Sequence, residues 1–235
     1  MPFAEARGLR FHLQEMGSGT PVVMLHGLFT GSLASWWFTA APALAGAHRV
    51  RLLDLRGHGL SDRPADGYDL ATMTDDVLEL TADLEPFGVV GHSYGGLIAL
   101  RLALTKPDRV TRLALIEPPI ADRVEVPPRS GGAIPAERAL LAETTIIADL
   151  EREQPLSDDE LAAIAVPMLF AFGSSSWCLP ASERVRRVLP SVSCHVLEGG
   201  HALHVDARRE IAALLVDFLG APAPALLDGR QVPYG

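Results

Sequence analysis

The sequence is poor in cysteine and has no dense cluster of basic residues. Only two cysteines are present, Cys178 and Cys194, and their spacing does not match a metal-binding motif. We expect both to be reduced, buried and apolar in character. The formal net charge is −9 at pH 7, and no group of Lys and Arg is dense enough to follow a phosphate backbone. These absences disfavour a disulfide scaffold, a metal or cofactor site and a nucleic-acid partner.

Long apolar runs are absent as well. No segment reaches the length of an uninterrupted membrane span, and the first eight residues lack the basic region and apolar core of a secretory signal. We therefore expect a cytoplasmic protein without a membrane partner, although a mature chain whose signal had been removed would look the same. Apolar residues make up 48% of the 235 residues, which is enough for a sizeable core in one α/β domain.

Apolar, strand-like runs alternate with helical stretches along the chain. This pattern predicts an α/β fold with a mostly parallel central sheet and helices on both faces. Strands are predicted at residues 9–14, 22–25, 50–55, 87–91, 113–116, 168–172 and 192–197. Helices are predicted near residues 33–45, 73–84, 94–105, 136–152, 158–164, 181–188 and 205–219.

The alternation breaks over residues 118–166, which contain an Ala-rich and Leu-rich helix but no convincing strand. We expect this insertion to form a small helical lid, reached through a loop at residues 127–132. The predicted organisation is a core built from residues 1–117 and 167–220, the lid between them, and a proline-rich C-terminal tail at residues 221–235.

The motif Gly-His-Ser-Tyr-Gly at residues 91–95 carries the most information about function. It follows a predicted strand and precedes a predicted helix, and Gly-x-Ser-x-Gly at such a junction is typical of a nucleophile elbow. The sharp turn strains the central residue and leaves room only for small neighbours, which Gly91 and Gly95 provide. Ser93 is therefore predicted to project from the edge of the sheet as a nucleophile.

Four sequence blocks, in order, resemble those of the α/β-hydrolase fold superfamily over residues 8–219. They are a strand and His-Gly loop, a turn after the next strand, the elbow, and a Glu-Gly-Gly-His loop, at residues 22–29, 53–61, 91–96 and 198–201. The resemblance implies a serine hydrolase with Ser93 as nucleophile and His201 as base. No cofactor is expected, because the glycine runs near residues 95 and 199 belong to the elbow and the histidine loop. His204 is the alternative base, although its position favours the first turn of the final helix.

The resemblance also implies an oxyanion hole and a pocket. The backbone N–H groups of Leu28 and Tyr94 are the expected oxyanion donors, with Phe29 replacing Leu28 if the loop is shifted by one residue. Phe29, Trp37 and Trp177 are expected to line an apolar pocket together with the lid. A position in the core is the alternative for Trp37.

The sequence departs from the family pattern at the acid. Many relatives carry an aspartate in the loop after the next-to-last strand, but residues 173–178 contain no carboxylate and Ser176 stands about where it would be. A serine cannot offer a full negative charge to an imidazolium, and replacing Ser176 by alanine is expected to change little. Glu117, which follows the strand after the elbow, is the candidate acid, in an arrangement similar to that of some haloalkane dehalogenases. The alternatives are that Glu117 contacts only solvent or Arg123, and that Asp54 serves instead.

These residues predict cleavage of a small or medium hydrophobic ester, thioester or lactone through an acyl-enzyme. The substrate class follows from the mostly apolar residues around the predicted site. One alternative is a biosynthetic tailoring enzyme of the same fold that cyclises, eliminates or breaks a carbon–carbon bond. Another is a ligand-binding protein without catalysis, which the missing aspartate favours and the elbow and His201 disfavour.

Overall fold

The computed structural model describes residues 3–29, 31–120 and 134–220. Its centre is one eight-stranded sheet, whose strands are β1 Phe3–Ala6, β2 Leu9–Met16, β3 Thr20–Leu25, β4 His48–Leu53, β5 Phe87–His92, β6 Val110–Ile116, β7 Met168–Gly173 and β8 Ser193–Leu197. The strand order is β1-β2-β4-β3-β5-β6-β7-β8. β1 and β2 pair antiparallel to their neighbours, and all other pairs are parallel, so the prediction of a mostly parallel sheet is confirmed.

Helices cover both faces of this sheet. They are α1 Ala34–Trp37, α2 Ala41–Leu44, α3 Leu70–Leu80, α4 Tyr94–Thr105, α5 Pro135–Glu143, α6 Ile146–Arg152, α7 Asp158–Ala162, α8 Ala181–Val188, α9 Leu203–Asp206 and α10 Arg208–Gly220. Alternate residues of a strand point to opposite faces, and β3 accordingly sends Val23 into the core under α3, α4 and α8 and Met24 into the core under α1, α2 and α10. The α/β fold class predicted from the sequence is therefore confirmed.

β1 is missing from the sequence prediction, which starts the sheet at residue 9. The strand has only four residues, lies at the sheet edge and is mostly half-buried, so it lacks a clear apolar alternation. Arg7 and Gly8 join it to β2 with φ values of +53° and +76°. Positive φ at both positions is typical of the two-residue turn that links antiparallel strands directly, and this Arg-Gly pair is the signal that could have revealed the hairpin.

Three predicted helices are each divided into two shorter ones. The predicted helix at residues 136–152 is α5 and α6, because Thr144 between them has an extended backbone with φ −134° and ψ 166°. The helix at residues 33–45 is α1 and α2, and Pro42 in the first turn of α2 has no N–H with which to continue a preceding helix. The last predicted helix is α9 and α10.

The described part of the predicted lid consists of α5, α6 and α7 and the residues that join them. Leu140 of α5 and Ile146 of α6 form a small apolar cluster with Tyr68, and Leu28 and Phe29 pack against it. These helices therefore rest on the loop that follows β3. The loop predicted at residues 127–132 and the tail at residues 221–235 lie outside the described residues. Within the described ranges, no helix is both long enough and apolar enough to cross a membrane.

A buried ion pair holds the turn that follows β4. Arg56 Nε and Nη2 each donate to a different oxygen of Asp76 over 2.6 Å, and both side chains are at most 5% exposed. The neighbouring Asp75, whose side chain is 53% exposed, pairs with Arg7 at the surface. Because Asp76 belongs to α3, this pair joins α3 to the turn after β4.

We expect Asp76→Ala to lower the free energy of unfolding by about 3–5 kcal/mol, because it leaves a buried guanidinium without its partner. Asp75→Ala is the matched control and should cost less than about 1 kcal/mol, as exposed ion pairs do. Urea denaturation followed by circular dichroism measures both. Equal losses from the two variants would contradict the importance assigned to the buried pair.

Candidate active site

Ser93 lies at the junction of β5 and α4 in a strained conformation. Its φ of +53° and ψ of −122° fall outside the regions that residues other than glycine usually adopt. A Cβ added to Gly91 would lie 2.4 Å from the Gly95 carbonyl oxygen, and one added to Gly95 would lie 2.7 Å from that of His26. The sharp turn therefore needs glycine on both sides of Ser93.

Three side chains from distant parts of the chain meet at this junction. His201 lies between β8 and α9, and its Nε2 is 2.9 Å from Ser93 Oγ. His201 Nδ1 is 3.1 Å from Glu117 Oε2, on the residue directly after β6. Since a carboxylate only accepts, the neutral ring carries its proton on Nδ1 and leaves Nε2 to accept the Ser93 hydroxyl. This is the geometry that a general base and its orienting acid require.

The Glu117 carboxylate is fully buried and has three donors around it. Oε1 accepts the Gly173 N–H, and Oε2 accepts the Ser176 hydroxyl as well as His201. Ser176 Oγ in turn accepts the Cys178 N–H over 3.0 Å. Ser176 thus contacts the candidate acid through its hydroxyl, and the small effect expected of Ser176→Ala stays a prediction. The signal for this contact is the place of Ser176 in the family pattern.

The register of two neighbouring strands explains how Glu117 reaches this position. Ile116 pairs with Ala171 in the parallel β6–β7 ladder, and the Glu117 N–H continues it by donating to the Ala171 carbonyl over 2.8 Å. The ends of β6 and β7 therefore lie side by side, next to the loop that holds Ser176. Contact with solvent does not describe Glu117, since it is fully buried, and Arg123 lies outside the described residues.

The other candidate acid, Asp54, braces two loops. Its carboxylate accepts the N–H groups of Leu33 and Leu60 over 2.7 and 3.0 Å and lies 2.8 Å from His12 Nδ1. Both carboxylate oxygens of Asp54 therefore have hydrogen-bond partners. The carboxylate that contacts His201 Nδ1 is that of Glu117, which makes Glu117 the better candidate for the acid.

The alternative base, His204, lies in α9 with its side chain buried. Its ring is 4.7 Å from that of Trp36 and 4.2 Å from that of His92, centroid to centroid. Burial lowers the pKa of His204 to about 4, so the ring is neutral at pH 7. Among the described residues, the histidine hydrogen-bonded to Ser93 is His201.

The loop after β3 runs beside Ser93 and contains the candidate oxyanion donors. A Cβ added to Gly27 would lie 3.0 Å from Ser93 Cβ. The Phe29 N–H donates to His58 Nε2 over 2.8 Å, and burial lowers the pKa of His58 to about 3, so this ring is neutral and able to accept. Because the Phe29 N–H is engaged, Leu28 is the better candidate for the first donor.

Tyr94 is the first residue of α4. The first N–H groups of a helix have no acceptor within it and lie at the positive end of its dipole. The Tyr94 side chain is buried, and its hydroxyl lies 3.4 Å from the Tyr68 carbonyl oxygen and 3.5 Å from Glu153. A negative charge developing near Ser93 would therefore meet the backbone of Tyr94 rather than its phenol.

The predicted pocket residues lie on different faces of the sheet. The Trp177 ring is 4.5 Å from the His201 ring, and Trp177 and Leu28 pack against the apolar cluster that contains Tyr94. Trp37 instead packs against the cluster on the opposite face. The structure thus brings Trp177 to the candidate site and leaves Trp37 with the core beneath α1 and α2.

One group of potential metal ligands is found among the described residues, and it lies in this site. The ligand atoms of Glu117, Cys178 and His201 are within 4.8 Å of one another. Glu117 and His201 are already hydrogen-bonded together, and burial raises the pKa of the Cys178 thiol, which disfavours the thiolate that binds metals. The donor set therefore fits a hydrogen-bonded triad better than a metal centre.

A family described as having the α/β hydrolase fold matches residues 20–130. Over 94% of this chain, the structure is similar to the enol-lactonase from Burkholderia xenovorans LB400, with a TM-score of 0.78, 22% identity and coverage of all of that chain. The chain therefore has the α/β-hydrolase fold.

Sequence relatives match only part of this α/β-hydrolase-fold chain. A soluble epoxide hydrolase from Corynebacterium sp. strain C12 is 41% identical over 118 residues, which are 48% of this chain and 40% of that protein. A 2-hydroxymuconate semialdehyde hydrolase from Pseudomonas sp. strain CF600 is 39% identical over 116 residues, which are 47% of this chain and 41% of that protein. The match thus spans about two fifths of each relative's length.

We expect Glu117→Gln to slow the labelling of Ser93 by a fluorophosphonate by up to about 10⁴-fold, because an amide cannot stabilise the imidazolium of His201. Ser176→Ala removes one hydrogen bond to the carboxylate and should slow labelling by about tenfold or less. Pseudo-first-order labelling rates measure both. A larger loss from Ser176→Ala than from Glu117→Gln would contradict the placement of the acid.

We expect Ser176→Asp to restore part of the labelling rate in the Glu117→Gln background, because it supplies a carboxylate from the end of the neighbouring strand. Ser176→Asn in the same background is the matched control, since asparagine has a similar shape and no charge. The measurement is the fluorophosphonate labelling rate of each double variant, and we expect the variant with aspartate at residue 176 to be labelled faster. Equal rates would mean that a negative charge at residue 176 does not reach His201.

Proposed function

We propose that this chain is a serine hydrolase that cleaves a small or medium hydrophobic ester, thioester or lactone through an acyl-enzyme. The observation that carries this function is the hydrogen-bonded series from Ser93 Oγ through His201 to Glu117, with distances of 2.9 and 3.1 Å. Ser93 and His201 are both partly exposed, whereas Glu117 is buried. The nucleophile and base are thus accessible, and the acid is shielded from water.

The reaction follows from these positions. His201 Nε2 takes the proton of Ser93 as Oγ attacks the substrate carbonyl carbon, and the resulting oxyanion accepts the N–H groups of Leu28 and Tyr94. His201 then gives its proton to the leaving alcohol or thiol, which leaves an acyl ester on Ser93. A water molecule, deprotonated by His201, attacks this ester. The bond between the acyl carbon and Ser93 Oγ then breaks, His201 returns the proton to Oγ, and the acid is released. In every step, Glu117 accepts a hydrogen bond from His201 Nδ1–H and stabilises the imidazolium form of His201.

The proposed substrate class rests on the apolar surroundings of Ser93. Leu28 and Trp177 pack against the apolar cluster beside the nucleophile, and α5 and α6 pack onto the loop that bears Leu28. We propose that residues 118–166 form a lid over this apolar region, and that residues 1–117 and 167–220 form the core. A hydrophobic acyl or alcohol group suits such walls better than a charged one. The likeness to an enol-lactonase agrees with an ester-type bond.

We expect a fluorophosphonate to label Ser93 and p-nitrophenyl acetate to be hydrolysed, with both activities falling to background in Ser93→Ala, because no other group replaces the nucleophile. Ser191→Ala, at an exposed serine, is the control and should retain both. Peptide mass spectrometry locates the label. An unlabelled, correctly folded wild-type chain would exclude this function. Labelling without ester turnover would favour the tailoring reactions that share this fold.

A further inference from the structure

His92 links the nucleophile to the loop that carries the base. It is the last residue of β5, directly before Ser93, and only 8% of it is exposed. Its Nε2 lies 2.8 Å from the backbone carbonyl oxygen of His201, a residue 109 positions away. A carbonyl oxygen only accepts, so Nε2 of His92 is the donor. His92 is thus next to Ser93 in the chain, and its side chain is hydrogen-bonded to the backbone of His201.

The His92 ring is held in one orientation. It contacts the His204 ring, with 4.2 Å between centroids and a tilt of 45°, and the His204 ring contacts that of Trp36. A Cβ added to Gly27 would lie 3.0 Å from His92 Nδ1 and 3.4 Å from Cε1, so this edge of the ring adjoins the loop after β3. Burial, reinforced by neighbouring His204 and His201, lowers the pKa of His92 well below its usual value. The ring is therefore neutral at pH 7, with its single proton on Nε2.

The backbone around His201 needs such an anchor. Two glycines precede it, and Gly199 has a φ of +143°. The Gly199 carbonyl accepts the N–H and hydroxyl of Ser175 over 3.0 and 2.8 Å, and the Gly200 N–H donates to Asp206 over 2.9 Å. These bonds hold the residues before the base. The bond from His92 holds the carbonyl of the base itself.

We propose that His92 is a positioning residue for the hydrolase reaction: its Nε2–H, bound to the His201 carbonyl, fixes the peptide plane from which the His201 side chain projects toward Ser93. This role rests on the proposed function. In this orientation His201 Nε2 lies 2.9 Å from Ser93 Oγ. A misplacement of about 1 Å in such a group can cost about 100-fold in rate.

A matched pair of variants tests this role. Glutamine at residue 92 places a donor N–H four bonds from Cα, as His92 Nε2 is, and methionine has the same length without a donor. We expect His92→Met to lower kcat for p-nitrophenyl acetate by about 10- to 100-fold with little change in KM, and His92→Gln to recover most of the loss. Two variants with wild-type kcat, or two equally impaired variants with wild-type thermal stability, would overturn the positioning role.

A measurement on the wild-type chain tests the same inference if the variants fold poorly. The ¹⁵N chemical shifts of the histidine rings report which nitrogen carries the proton, and His92 should be neutral and protonated on Nε2 at pH 7. His58 is the internal control, because its Nδ1 donates to the Arg56 carbonyl and its Nε2 accepts the Phe29 N–H. It should show the opposite tautomer. A charged His92, or one protonated on Nδ1, would overturn the inference.

The two proposals fail in different ways. A wild-type chain whose Ser93 is not labelled would contradict the hydrolase function whatever the tautomer of His92. A labelled wild type, together with a His92→Met variant that is labelled equally fast, would contradict the positioning role alone.

Discussion

The arrangement of the site depends on one buried negative charge, the carboxylate of Glu117. Burying a carboxylate is costly unless donors surround it, and here the Gly173 N–H, the Ser176 hydroxyl and His201 do so. These donors come from the end of β7, from the loop after it and from the segment after β8. One carboxylate therefore joins the ends of three adjacent strands and contacts the His201 ring, whose Nε2 lies 2.9 Å from Ser93 Oγ.

Backbone strain is concentrated in the same place. Among the described residues other than glycine, four have positive φ, and three of them, Phe29, Ser93 and Glu117, lie in the loops around the site. Each such conformation costs on the order of 1–3 kcal/mol and persists only where the surrounding structure enforces it. Ser93 and Glu117 directly follow the paired strands β5 and β6, whose ladder supplies that constraint. The rigid sheet thus stabilises conformations that an isolated loop would not keep.

The sequence predicts most of this fold because strands such as β5 and β7 are buried at every position and read as continuous apolar runs. It misses β1, an edge strand without such a run. Ser93 and His201 stand out through local motifs, and Glu117 through the missing carboxylate at residues 173–178. The contacts of Ser176 and His92 join residues 59 and 109 positions apart. Such contacts follow from which strands become neighbours, and local sequence does not contain that information.

The ends of β6 and β7 lie side by side, and the residues that follow them, Glu117 and Ser176, are hydrogen-bonded to each other. A side chain at residue 176 therefore occupies space next to the Glu117 carboxylate without any change in strand order. The position of a candidate acid is thus better judged from neighbouring strands in space than from one loop of the sequence. Homologues without the usual aspartate deserve a search along the adjoining strand before they are classed as inert.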